Sequence, residues 1–72
     1  MKFTKEVEKL EAMLERMREK VNTARSKFDD RSDSWKESEK GEAAEMKIEG
    51  VESALDDLEN AIEELKEANE AE

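Results

Sequence analysis

Residues 3–28 read FTKEVEKLEAMLERMREKVNTARSKF, and the spacing of their apolar positions decides the fold. The apolar residues recur in alternating steps of four and three, the heptad spacing of a helix that packs along one seam against another helix. The same steps continue through Arg31 to Trp35. The apolar positions of this first seam are Phe3, Val7, Leu10, Leu14, Met17, Val21, Ala24 and Phe28.

A second seam with the same spacing occupies the C-terminal half, and its members are Ala44, Ile48, Val51, Leu55, Leu58, Ile62, Leu65 and Asn69. The chain has no proline, so nothing forbids two long helices. The step of nine residues from Trp35 to Ala44 breaks the heptad spacing. We therefore predict an all-α fold, a single antiparallel two-helix hairpin (coiled coil) spanning residues 1–72. Helix 1 covers about 3–38, the turn about 39–41 and helix 2 about 42–69.

Gly41 is the expected end of helix 1, because glycine readily takes the left-handed conformation that closes many helices. A second possible break lies at 29–34, where polar residues compete with helix formation and Ser34 with Glu37 would form a capping box. We rank it below the break at Gly41, since Trp35 keeps the spacing of the first seam.

The charges beside the seams predict the register. If the turn lies near residue 40, three pairs of opposite charge face each other across the seam: Glu11 with Lys66, Arg18 with Glu59, and Arg25 with Glu52. Sliding one helix by a heptad brings like charges together instead. Each exposed pair contributes little free energy, so the pattern specifies register more than it adds stability. Within the seam, this register pairs Leu14 with Leu65, Phe28 with Val51 and Trp35 with Ala44.

In this register Phe3 and Val7 have no partner on helix 2, and alanines widen the apolar stripe on the side away from the charge pairs. A lone hairpin would leave half of each seam in water. Association of two hairpins into a four-helix bundle would cover it, so we expect a homodimer. The alternative is that alanine serves only as a good helix former. The candidate dimer interface is Phe3, Val7, Met13, Ala54, Ala61 and Ala68.

The composition excludes most chemistry. The 72 residues include no His, Cys or Tyr, which removes the usual general bases, nucleophiles and soft-metal ligands. No calcium loop and no Glu-x-x-His motif is present. We therefore expect no enzyme, no catalytic residue, no metal and no cofactor. The start of the chain has no apolar stretch typical of a signal peptide, and no run is long enough to span a membrane. We expect a cytoplasmic protein that does not bind membranes.

Acidic residues dominate the second half. Residues 37–72 hold 14 Asp and Glu against 3 Lys and Arg, and the whole chain carries a net charge of −9. Such a chain repels nucleic acid, so direct binding of DNA or RNA is not expected. Its carboxylates instead recur every ~5 Å along helix 2, comparable with the phosphate spacing of a nucleic-acid strand. This face either binds a basic protein or only keeps the helix in solution. The candidate partner-binding carboxylates are Glu49, Glu52, Asp56 and Glu59.

The segment before helix 2 has a distinct pattern, aromatic-Asp-x-Arg-Ser-x-x-Trp-x-x-Ser-x-x-Gly, formed by Phe28, Asp29, Arg31, Ser32, Trp35, Ser38 and Gly41. Over roughly residues 28–65 the chain resembles small uncharacterised acidic helical proteins of bacteriophages and other mobile elements. The resemblance implies a phage or plasmid origin, hence a location in the host cytoplasm, and it supplies no role.

Arg31 and Trp35 are further candidates for contact with a partner, because both residue types are favoured at protein interfaces. The structural alternative is that Trp35 closes the end of the hairpin while Arg31 extends its charge toward Asp33, Glu45 or Glu49. The sequence thus favours a non-enzymatic protein–protein interaction module, an adaptor or regulator. The alternative is an acidic DNA-mimic inhibitor that blocks a basic nucleic-acid-binding site on a host protein, as anti-restriction and anti-CRISPR proteins do.

Overall fold

The computed structural model describes residues 1–71, which form three helices. Helix α1 covers Thr4–Asp29, α2 covers Asp33–Glu37 and α3 covers Glu39–Ala71. The two long helices, α1 and α3, pack against each other side by side, and residues 1–71 contain no strand. The predicted all-α class is confirmed. The hairpin is long and thin, measuring 54 × 15 × 11 Å between Cα atoms.

The three predicted charge pairs are all present, so the antiparallel register is confirmed. The Lys66 Nζ lies 3.7 Å from the Glu11 carboxylate, and the Arg25 guanidinium donates to Glu52 at 2.8 Å. Arg18 binds Glu59 and also Asp56, the latter at 3.2 Å. These pairs all lie on one side of the hairpin, beside the residues that form its core.

The buried core is a single row of side chains between α1 and α3. We call this row the inner seam. Val7, Leu14, Leu55 and Ile62 are its best buried members, at 3–8% exposure, and form one cluster. Leu14 lies beside Ile62, one turn from the expected Leu65, because a seam residue packs between successive residues of the opposite helix. The inner seam comprises Val7, Leu14, Val21 and Phe28 on α1, and Ile48, Leu55, Ile62 and Asn69 on α3.

The open end of the hairpin corrects the expectation that Phe3 and Val7 lack partners on the second helix. Helix α3 extends to Ala71, and its buried Asn69 meets the start of α1. The Phe3 backbone N–H donates to Asn69 Oδ1 at 2.8 Å, and Asn69 Nδ2 donates to Thr4 Oγ1 at 2.8 Å. Since α1 has no side-chain cap of its own, Asn69 supplies one from the other helix. Val7 is consequently only 4% exposed.

The turn region also differs from the prediction. Helix 1 does not continue to residue 38, because α1 ends at Asp29 and a separate short helix follows. Ser32 has an extended backbone, and its side chain accepts a hydrogen bond from the Trp35 N–H at 3.3 Å, which starts α2. The break ranked second from the sequence is therefore real, although Ser32 rather than Ser34 is its cap. The heptad position of Trp35 concealed this competing cap.

Ser38 makes the second change of direction, between α2 and α3. Its N–H and its hydroxyl both donate to the Trp35 carbonyl, which ends α2. The same hydroxyl accepts from the Gly41 N–H at 3.3 Å, and its carbonyl accepts from the Glu42 N–H at 2.9 Å. One serine thus ends one helix and caps the next. The helix that follows begins at Glu39, three residues earlier than predicted.

Gly41 has a role other than the predicted helix end. It lies buried inside α3, and no residue among 1–71 has a positive φ. A Cβ at this position would collide with the Trp35 carbonyl oxygen and lie 2.6 Å from the Cα of Lys36. The missing side chain is what lets the α2 backbone cross directly over α3.

We predict that Gly41→Ala destabilises the protein by about 1–3 kcal/mol, the usual cost of forcing a methyl group into occupied space. Gly50 is the matched control, because it also lies within α3 and a Cβ there meets nothing within 4 Å. Gly50→Ala should stabilise by about 0.5–1 kcal/mol through helix propensity. Urea unfolding followed by circular dichroism measures both. Equal stabilisation by the two substitutions would contradict the close crossing.

Candidate functional site

The two sides of the hairpin differ in their charge pairs and in how much apolar surface they expose. On one side the inner seam is flanked by the ion pairs of Arg18, Arg25 and Lys66. On the other side apolar side chains line both helices and are incompletely covered, with Met13 52%, Met17 37%, Val51 39% and Leu65 43% exposed. We call this second side the open face. Its members are Leu10, Met13, Met17 and Ala24 on α1, and Val51, Ala54, Leu58, Ala61, Leu65 and Ala68 on α3.

The open face exists because two helices in contact cover only the surface between them. A heptad seam is about two residues wide. In this hairpin one row meets its partner and the other is only partly covered, as at Leu10 and Leu58, which are half-buried against the core cluster. The result is little buried surface. The protein exposes 5714 Å², whereas a compact chain of 8.3 kDa exposes about 4,600 Å². Five apolar residues among 1–71 count as buried.

At the turn end, the open face deepens into a groove of about 460 Å³. Phe28, Trp35 and Ile48 form its apolar walls, and the small side chains of Ala24 and Ala44 leave its space unfilled. Trp35 and Ala44 line this groove together, as do Phe28 and Val51, in agreement with the predicted pairing of the seams.

Four cations surround the groove, and no carboxylate lines it. They are Lys20, Lys27, Arg31 and Lys47, and none of them forms an ion pair with a described residue. This is unusual in a chain with 22 acidic and 13 basic residues. The three lysines were not among the candidate residues predicted from the sequence. Their signal was their heptad position, since each stands beside the seam on the side that carries no charge pairs.

Arg31 and Trp35 contact each other rather than a carboxylate. The Arg31 guanidinium carbon lies 4.0 Å from the centre of the Trp35 ring, a cation–π contact. The expected extension of Arg31 toward Asp33, Glu45 or Glu49 is not what the structure shows. The Trp35 ring also meets Phe28 edge to face, with centroids 5.9 Å apart. Trp35 is half-buried, so one part of it supports the turn and the rest lines the groove.

The acidic candidates are mostly occupied within the hairpin. Glu52 binds Arg25, while Asp56 and Glu59 bind Arg18. The hydrogen bond to Glu52 is the main cause that raises the pKa of Arg25 above its ordinary value. Glu49 is exposed and forms no ion pair with a described residue. Three of the four predicted partner-binding carboxylates therefore hold α1 and α3 in register.

The candidate dimer residues divide in two groups. Met13, Ala54, Ala61 and Ala68 are exposed and belong to the open face. Val7 is buried in the inner seam, and Phe3 is half-buried against the same cluster. Val7 is thereby corrected from a candidate for dimer contact to a core residue of the hairpin.

Residues 1–71 hold no group of three or more acidic side chains placed to bind a metal ion. None of the helices described here combines the length and the apolar character that crossing a membrane requires. Comparison of the chain with known protein families, with curated proteins and with solved structures finds no match.

The single tryptophan reports on the charge of the groove. Relative to their effects on free N-acetyltryptophanamide, we predict that iodide quenches Trp35 fluorescence roughly twofold better than caesium does, because the cations concentrate anions locally. The net charge of −9 acting alone would favour caesium. Stern–Volmer titrations at constant ionic strength measure the ratio. Lys27→Gln combined with Lys47→Gln should reduce it, and a ratio favouring caesium in the unaltered protein would contradict a cationic groove.

Proposed function

We propose that the protein is a non-enzymatic interaction module, in which two hairpins associate through their open faces into a four-helix bundle. The observation that carries the proposal is the open face itself, an apolar surface that runs along both long helices and has exposed methionine, leucine and valine side chains. Monomeric proteins rarely expose so continuous an apolar surface. The alanines allow a second pair of helices to approach closely.

The weak core supports the same proposal. A hairpin of this size that buries five apolar residues gains little free energy of folding from apolar burial. Small domains without disulfides or metals often gain further stability by association. The bundle would carry out its role as an adaptor or regulator of another protein, using surfaces that remain outside. The phage-type pattern at residues 28–41 supports an origin in a mobile element and action in a host cytoplasm.

A rival proposal is the acidic inhibitor that occupies a basic groove of a nucleic-acid-binding protein. The acidic excess of α3 supports it, as do exposed carboxylates such as Glu49 and Glu63 that form no ion pair with a described residue. Arg18 and Arg25 bind three of the four carboxylates proposed to contact the partner. These ion pairs reduce the negative electrostatic potential of that face. We therefore favour the interaction module.

We predict that Ala61→Glu weakens dimerisation at least tenfold, because a charge would be forced against an apolar partner surface, and each tenfold corresponds to about 1.4 kcal/mol. Ala61 is exposed in the hairpin, so the substitution leaves the single chain folded. The matched control is Asn60→Glu, which adds the same charge at the preceding position, on a residue outside the open face. Sedimentation equilibrium across micromolar concentrations measures both. Unaltered association of the Ala61→Glu variant, or a monomer throughout for the unaltered chain, would refute the proposal.

The inhibitor proposal predicts instead that partner binding depends on the carboxylates of α3. Glutamine at Glu49, Glu52, Asp56 and Glu59 keeps helix propensity and removes only charge, so the hairpin should stay folded by circular dichroism. We expect the immobilised variant and the unaltered protein to retain the same proteins from a bacterial lysate at low and high salt. Loss of a retained protein in the variant, together with its release from the unaltered chain by duplex DNA, would favour the inhibitor.

A further inference from the structure

The groove at the turn end combines apolar walls with cations that pair with no described residue. Its space of about 460 Å³ lies within the range of about 300–1,000 Å³ that ligand sites occupy. Four cations line it, and no carboxylate among the described residues does. Like charges gathered beside an apolar surface repel one another, and a ligand of opposite charge relieves that repulsion. The groove therefore suits a ligand that is both apolar and anionic.

Two lysines of the groove also lack acidic neighbours on their own helices. Within a helix, a lysine can pair with an acidic residue three or four positions away. Those positions are 16, 17, 23 and 24 around Lys20, and 43, 44, 50 and 51 around Lys47, and none of them is acidic. In a chain with 22 acidic residues, both ammonium groups are thus left for a ligand.

We infer that the groove binds an acidic amphipathic helix of another protein. The apolar side of that helix fills the groove, and its flanking Asp and Glu contact the cations, a common way for a hydrophobic groove to bind a partner helix. The inference rests on the proposed role as a protein-interaction module and names the chemistry of its partner. It holds for the single hairpin and does not require the dimer.

The spread of the cations favours a segment with several carboxylates over a small anion. Lys20 and Lys27 lie on α1, two helical turns or roughly 10 Å apart. Lys47 lies on α3, at the opposite edge of the groove, and Arg31 lies beyond the end of α1. One head group reaches only part of this set, whereas acidic residues on both sides of an apolar stripe reach all of it.

A second copy of the chain supplies few carboxylates to this groove. Beyond the groove, the positions beside the seam on the open face are Glu6 and Met13 on α1 and only alanines on α3. Glu6 itself stands four residues after Lys2 and three before Lys9, so its charge is already offset. The cations of the groove are therefore better matched by a different protein.

Nucleic acid fits the groove less well than a peptide. Single-stranded nucleic acid binds by stacking its bases on free aromatic faces. The Arg31 guanidinium already lies over the Trp35 ring at 4.0 Å, and Phe28 meets the same ring edge to face. The net charge of −9 also repels phosphates.

Trp35 is the only tryptophan and lines the groove, so its fluorescence reports on occupation. The probe is a synthetic peptide of about four helical turns without tryptophan. Leucines recur in steps of three and four along one side of it, and glutamates flank them. A second peptide has glutamine at every glutamate position. The hairpin is kept dilute, so that self-association does not compete.

We expect the glutamate peptide to shift Trp35 emission to shorter wavelength and to bind about tenfold more tightly than the glutamine peptide. Lys27→Gln combined with Lys47→Gln should weaken binding of the glutamate peptide about three- to tenfold. Both lysines are exposed, so the fold is kept. The control is Lys5→Gln combined with Lys9→Gln, which removes the same charge at the far end of α1 and should leave the affinity unchanged within about twofold.

Ala24→Leu tests the apolar space separately from the charges. Ala24 lines the groove and is exposed, so leucine there enters the groove rather than the core. Binding should fall roughly tenfold or more, because the apolar side of the peptide then meets occupied space. Ala12→Leu makes the same change at an exposed position of α1 far from the groove and should leave binding unaltered.

Equal affinity for the two peptides, or binding that survives Ala24→Leu, overturns the inference. Tighter binding of a thymidine oligonucleotide or of dodecanoate overturns it in favour of nucleic acid or of a small amphiphilic anion. Sedimentation equilibrium of the same protein separates this result from self-association. A dimer that does not bind the peptide removes the partner site alone, whereas a monomer that binds it supports the site and removes the dimer.

Discussion

The hairpin depends on the contact of its two long helices along one side only. The inner seam supplies the apolar contact, and the ion pairs of Arg18, Arg25 and Lys66 stand beside it and specify which residues meet. Because a pair of helices cannot enclose a heptad seam, burying this side leaves the other exposed. The open face, the small core and the large accessible surface all follow from this arrangement.

The turn is built for close approach rather than for flexibility. Ser32 starts a five-residue helix, Ser38 ends it and caps the next, and the absence of a side chain at Gly41 lets the two backbones cross. Within this turn Trp35 is held between Phe28 and Arg31. The aromatic-to-glycine pattern thus has a structural reason at most of its positions, and the same construction places the aromatic rings and Arg31 at one end of the open face.

The helical fold and its register could be predicted because both rest on periodic signals, the heptad spacing and the opposite charges at Arg18 and Arg25. The helix ends could not. Trp35 falls on the heptad spacing by position alone, which concealed the cap at Ser32, and the role of Gly41 depends on a contact across the turn that no local signal contains. The heptad spacing also does not show which row of each seam is buried. For this reason the sequence placed Val7 in the dimer interface and did not predict the cations around the groove.

The most direct test of the open face as a self-association surface is methionine oxidation measured as a function of protein concentration. Met13 and Met17 lie on the open face, whereas Met46 is 71% exposed on the outer surface of α3 and serves as the internal control. Pulsed oxidation read by mass spectrometry should slow at Met13 and Met17 as concentration rises through the micromolar range, with no change at Met46. Rates at Met13 and Met17 that stay constant relative to Met46 at every concentration would contradict coverage of the open face by a second copy.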